Sequence, residues 1–179
     1  MGPVTEKSKY SEGVVLVYHE AATGKIVRII EAGPNIVTDK GDQYYAQKGA
    51  GETPTNTFSA GRVVVAKSMT VTGANKKSAT FGKLITRTTK TAFQSGYPKT
   101  ADTDINNTAR TIDGITYKAI YGTTTANYTI GAVAISRAAG ATSSSGQLLS
   151  AKTLSAAEKV VKTSSLTLTV YVTHVFLGV

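Results

Sequence analysis

The sequence predicts a mainly β protein: an antiparallel β-sandwich, jelly-roll-like or closed into a flattened barrel, with one short helix. Three observations carry this. Residues 164–179, SSLTLTVYVTHVFLGV, alternate strictly, with Leu166, Leu168, Val170, Val172, His174 and Phe176 on one side. Side chains in a strand change face at every residue, so this is a long strand with one apolar face, placed inside a sheet. The composition agrees, with 28 threonines and frequent Val, Ile and Tyr, the branched and aromatic residues that suit a pleated surface. Finally, turn signals recur at short intervals, and strands do not alternate with helices as a parallel α/β sheet would require.

Taken in order, residues 1–13 read as a flexible, polar arm and residues 14–179 as a single β-sandwich domain. Residues 14–19 and 25–31 read as a hairpin, with Gly24 supplying the positive φ of its turn and Gly33-Pro34 ending the pair. The helix is predicted over NIVTDKGDQYYAQK, residues 35–48. Thr38 or Asp39 caps it, Asp42 suits the dipole of its first turn, Gly41 weakens it and Gly49 stops it. Residues 62–67, RVVVAK, form a strand that 69–72 can continue, and GANKKS at 73–78 forms a turn. Further strands are expected within 81–90, 109–121, 128–137 and 147–154. Residues 95–107 and 138–146 read as loops, and 155–163 as a connection or a single helical turn. About eight to ten strands result. No repeat of fixed period is present, which disfavours solenoids and propellers.

The chain has no cysteine, which removes disulfides, thiolate nucleophiles and cysteine-based zinc sites. No apolar run approaches the length needed to cross a bilayer, and no membrane partner is expected. The N-terminal residues lack the apolar core of a signal peptide, so export by the general secretory route is not expected. Charge is unevenly spread within the net +9. Residues 53–101 hold no Asp or Glu but eight cations: Arg62, Lys67, Lys76, Lys77, Lys83, Arg87, Lys90 and Lys99. Such a stretch creates a positive potential over one region of the fold. It reads as a solvated surface, a docking face for an acidic partner, or a nucleic-acid surface. Lys76, Lys77, Lys83 and Arg87 are its candidate docking residues, with Lys7, Lys9 and Tyr10 of the arm.

Asp102, Asp104, Asn106 and Asp113 fall at the spacing of a calcium loop, but Asn107 stands in the glycine position and Asp113 replaces the bidentate glutamate. They read more simply as a polar loop satisfying its own backbone. His19 and His174 are the two histidines, and each sits in an alternating strand, where a packed, hydrogen-bonded role outweighs a ligand role. No nucleophile elbow, metalloprotease helix or P-loop occurs, so neither an enzyme nor a cofactor is expected. Tyr44, Tyr45, Tyr97, Tyr117, Tyr121, Tyr128 and Tyr171 offer stacking platforms for single-stranded nucleic acid. Half-buried sheet residues are the simpler reading.

Five segments in order carry a resemblance: NIVTDKGDQYYAQ, RVVVAKS, YTIGAVAISR, GQLLSAKTLS and KTSSLTLTVYVTHVFLG. Over roughly residues 35–179 the chain resembles small virion proteins of tailed bacteriophages, of the capsid decoration and tail-collar accessory type. It lacks the fibre repeat that follows in collar-fibre anchors. The resemblance implies a non-enzymatic virion component, assembled in the host cytoplasm. Its partners would be major capsid or tail and collar proteins, with further copies of itself. A tail, collar or neck component is the alternative, and a glycan-binding or single-stranded nucleic-acid-binding β module is the alternative of another class.

Overall fold

The computed structural model describes residues 13–55, 58, 61–80, 83–100, 114–137 and 146–175. Lys7, Lys9, Tyr10, the candidate calcium residues Asp102, Asp104, Asn106 and Asp113, and Phe176 lie outside them.

The fold is mainly β, with several antiparallel sheets and one short α-helix. The first hairpin is β1 (Gly13–Glu20) and β2 (Ile26–Gly33), as expected, except that the first strand already includes Gly13. Gly13 must be glycine. It has φ +100°, and a Cβ there would meet the Gly33 carbonyl oxygen at 1.9 Å. The last strand, β11 (Leu166–Val175), lies inside a four-stranded sheet of order β2-β1-β11-β6, where β6 is Gly114–Tyr121. Both neighbours of β11 are antiparallel: Val170 faces Leu16 on one side and Ala119 on the other. Its backbone is thus paired along both edges, which is why so long an alternating strand can be central.

A five-stranded sheet has the order β3-β9-β8-β4-β5. Its members are β3 (Ile36–Val37), β4 (Arg62–Met69), β5 (Leu84–Ala92), β8 (Ala132–Ser136) and β9 (Leu148–Thr153). Here the strand expected within residues 128–137 is present, but in two pieces. Gly131 interrupts it, because a Cβ there would lie 2.1 Å from the Lys67 carbonyl oxygen and the chain must step past β4. Thr129–Ile130 then forms β7, which pairs with β10 (Val160–Val161) within the segment read as a connection. Every residue of β8 is buried. It lies mid-sheet, with Val133 and Ile135 in one cluster of buried side chains and Ala132 and Ala134 in another.

Helix α1 (Asp39–Gly49) is capped by Thr38, whose Oγ1 accepts from the Gly41 amide at 3.0 Å and donates to the Leu148 carbonyl at 2.6 Å. Gly49 lies inside the helix, which ends at Ala50. Gly41 has a role beyond weakening the helix. A Cβ there would meet the Leu149 carbonyl oxygen at 2.3 Å and Val37 Cγ1 at 2.8 Å, so glycine lets the helix lie directly on β9. The expected turn at Gly73–Ser78 is a 3-10 helix, closed by Asn75 Oδ1 accepting from the Thr72 amide at 2.9 Å.

The larger cluster of buried side chains draws on both sheets. Leu16, Tyr18, Tyr117, Leu168, Val170 and Val172 come from the four-stranded sheet, and Val63, Val65, Val133, Ile135 and Leu149 from the five-stranded one. Burial of such aliphatic and aromatic side chains stabilises by about 1.5–3 kcal/mol each before entropy is charged.

Candidate functional site: the basic surface and the sheet faces

The acid-free stretch acquires counter-charges through the fold. Lys76, in the 3-10 helix, reaches the first turn of α1, with its Nζ 3.2 Å from Asp42 Oδ2 and 3.6 Å from Asp39 Oδ1. The hydrogen bond to Asp42 raises its pKa first, and the charge of Asp42 adds to it. Those carboxylates also sit where a helix dipole favours them. Lys76 is therefore an internal tie. Lys77 beside it is exposed and Lys83 is half-buried. Lys83 is placed by its backbone: its amide donates to Thr80 O and its carbonyl accepts from the Thr70 amide, both at 2.9 Å. Arg87 lies within β5.

A second group of cations and rings was not assembled by sequence reasoning. Segment 94–99 is tied to the edge of β6. The Gln94 amide donates to Lys118 O at 2.7 Å, and Lys99 and Thr116 exchange both backbone bonds at 3.1 and 2.9 Å. This sets Tyr97 above β6, where Lys118 Nζ lies 5.5 Å from its ring centre and 5.2 Å from that of Tyr171. Lys99 Nζ lies 4.7 Å from the Tyr97 centre. Cation–π attraction at such distances holds the lysines over the rings. The signal was present in part: Tyr171 and Lys118 are cross-strand partners once the β11–β6 register is known.

Other tyrosines behave as packed sheet residues. Tyr117 and Tyr121 are fully buried, and burial raises their pKa values. The Tyr121 hydroxyl donates to Val63 O at 2.8 Å and that of Tyr128 to Val65 O at 2.9 Å. These bonds tie β6 and the residue before β7 to β4.

His174 is buried, 4% exposed, as its apolar neighbours suggested. With the Asn35 amide oriented as it is, Asn35 Nδ2 donates to His174 Nε2 at 2.6 Å. Nδ1 therefore carries the proton and donates to Tyr45 Oη at 2.5 Å, and the Tyr45 hydroxyl donates to Tyr117 Oη at 2.9 Å. The chain of bonds links β11, β6, helix α1 and the residue before β3. Burial lowers the His174 pKa to about 4, so the ring is neutral at pH 7. Burial and the neighbouring Tyr117 hydroxyl raise that of Tyr45. A neutral histidine held between an amide and a phenol is a structural joint. His19 Nδ1 lies 3.3 Å from Gly24 O at the hairpin turn.

Lys162 is a further buried cation. Its Nζ donates to Asn127 Oδ1 at 2.9 Å and to Thr163 O at 3.4 Å, and burial lowers its pKa. Among the described residues there is no group of three or more His, Cys, Asp or Glu side chains placed to hold a metal ion. No helix among them is long and apolar enough to cross a membrane. No family model, curated protein or solved structure matches the chain significantly.

Proposed function

We propose that this chain is a structural component of a tailed-bacteriophage virion, a capsid decoration or accessory protein that docks on other virion proteins. The observation that supports this most is the organisation of its surface. The polar networks around His174, Tyr121 and Tyr128 are turned inward, to join elements to one another. Outward, the chain presents sheet edges, exposed aliphatic side chains and lysines, the features by which proteins add to a neighbour. The order of segments, with its resemblance to small virion proteins, points the same way. In this reading the four- and five-stranded sheets are the two layers of a sandwich. The cluster of buried side chains shared between them supports that arrangement. The chain binds and assembles, as a homo-oligomer within the particle, and does not catalyse. A tail, collar or neck position is the alternative within the same class.

Docking through the basic surface is tested with Lys77 and Lys83. Lys76 is left in place, because reversing it would break its bonds to α1. Lys77→Glu with Lys83→Glu is expected to weaken binding to empty particles, with an effect that shrinks as salt screens exposed charge beyond about 10 Å at 0.1 M. Wild-type binding by the double variant would remove these lysines from the docking face.

A second reading, a single-stranded nucleic-acid-binding module, is favoured by one arrangement, Tyr97 and Tyr171 with Lys99 and Lys118. It predicts oligonucleotide binding that falls steeply with salt and is lost with Tyr97→Ala and Tyr171→Ala.

A further inference from the structure

The four-stranded sheet ends in β6 on one side and in β2 on the other. The β6 edge is taken up within the chain, because backbone bonds from Gln94 and Lys99 lay segment 94–99 along it. The β2 edge bears no further strand among the described residues. The β1–β2 hairpin also leaves the core as it runs outward. In β1 every residue from Gly13 to Tyr18 is buried, whereas residues 21–29 are exposed without a break, through the turn and into β2. Tyr18 and Arg28 lie opposite each other on the core-facing side, yet Tyr18 is buried and Arg28 exposed. From Ile26 to Ile29, β2 therefore overhangs the shared core with both faces open. Edges left in this way usually carry lysine or proline. This one carries Ile26, Val27 and Ile29, which are 42%, 52% and 36% exposed. Its register with β1 shifts at both ends, which leaves one regular run, Arg28–Glu31, able to accept a strand.

We propose that two copies of this chain join edge to edge, β2 antiparallel to β2, about a two-fold axis that passes through the sheet at Ile29. The two four-stranded sheets become one. Residues directly opposite one another share a face, so Ile29 meets Ile29 of the second copy and Arg28 meets Ile30. The choice of axis follows from the side chains. An axis at Arg28 or at Glu31 would set like charges against each other. An axis at Ile30 would centre the contact on a side chain that is 8% exposed and has little left to bury. At Ile29 two exposed aliphatic side chains leave water together, and no charge opposes its own kind. A second copy also matches the short regular run by identity, which a strand of another protein would have to reproduce. With β6 already covered, the pairing closes at two and does not propagate. The contact is smaller than a standard interface, so the dimer is weak, with a Kd on the order of micromolar or above. This inference names the surface of the proposed homo-oligomer, but it does not rest on the virion reading, since it concerns two copies in solution.

Sedimentation velocity over a concentration series up to about 1 mM tests it, reaching well above a micromolar Kd. Wild type is expected to show a monomer–dimer equilibrium. Ile29→Lys sets two ammonium groups opposite one another at the axis and is expected to raise the Kd at least about tenfold. Position 29 is exposed, so this variant should keep the fold, with circular dichroism as the check. The chain has no cysteine, so the register can be read directly. With the axis at Ile29, the two copies of position 29 face each other at about 5 Å between Cβ atoms, within disulfide range after small adjustment. The two copies of position 26 lie about 20 Å apart along the pair. Mild oxidation is therefore expected to convert Ile29→Cys to a covalent dimer much faster than Ile26→Cys, although position 26 is the more exposed. A wild type that stays monomeric, an Ile29→Lys protein that dimerises like wild type, or equal disulfide formation by the two cysteine variants would overturn the proposal.

Discussion

His174 should make the fold lose stability in a pH range above that of most carboxylates. The ring is buried between Tyr45 and Asn35, and burial lowers its pKa from 6.5 to about 4. The unfolded chain therefore takes up a proton near pH 6.5, whereas the folded chain does so only near pH 4. Between those values the unfolded state binds more protons, so stability falls as pH falls. The contribution is complete above pH 6.5, declines below it, and is gone once pH has passed through about 4. A difference of about 2.5 between the two pKa values, at 1.36 kcal/mol each, is worth about 3 kcal/mol. Urea unfolding at intervals from pH 7.5 to 4.5 measures this. His174→Gln loses hydrogen bonds and starts lower, but it has nothing to titrate here, so the gap between the two proteins should close by about 2–3 kcal/mol across the range. Carboxylates shared by both proteins cancel in the difference. Two stability curves that stay parallel from pH 7.5 to 4.5 would refute the neutral, buried histidine.

Three further substitutions test the packing. Val170→Asp puts a carboxylate at a position with 0% exposure, between Leu16 and Ala119, and should cost several kcal/mol or abolish folding, read as the melting temperature. Gly41→Ala ought to gain about 1 kcal/mol on helix propensity alone, yet the contact with the Leu149 carbonyl should make it a net loss of about 1–3 kcal/mol in urea. Tyr18→Phe removes a buried hydroxyl that has no partner among the described residues, so stability should be unchanged or up to about 1 kcal/mol higher; a clear loss would reveal a partner elsewhere in the chain.

Much of this architecture could be read from local pattern, and what could not depends on contacts far apart in the chain. The alternation of residues 166–175 identified β11 and its place inside a sheet because period and burial coincide in a strand with one core face. Over 128–137 the same pattern marked a strand but not its depth, because β8 is covered on both sides and its alternation is between two apolar layers. Gly41 looked like a flaw in a helix because the reason for it, the Leu149 carbonyl, lies 108 positions away in sequence. Lys76 looked uncompensated because Asp39 and Asp42 fall outside the acid-free stretch of residues 53–101. The candidate surfaces show the same limit. Lys118 stood outside the acid-free stretch, and its partners Tyr97 and Tyr171 reach it through a loop–edge bond and a strand register.

The central claim, that the chain is a virion component, is tested most directly by quantitative mass spectrometry of purified phage particles from cells that express it. The account predicts its peptides in particles banded on a density gradient, at a copy number in fixed ratio to the major capsid or tail protein. Particles that assemble normally and contain none of it, while the chain remains in the soluble fraction of the same cells, would contradict the claim.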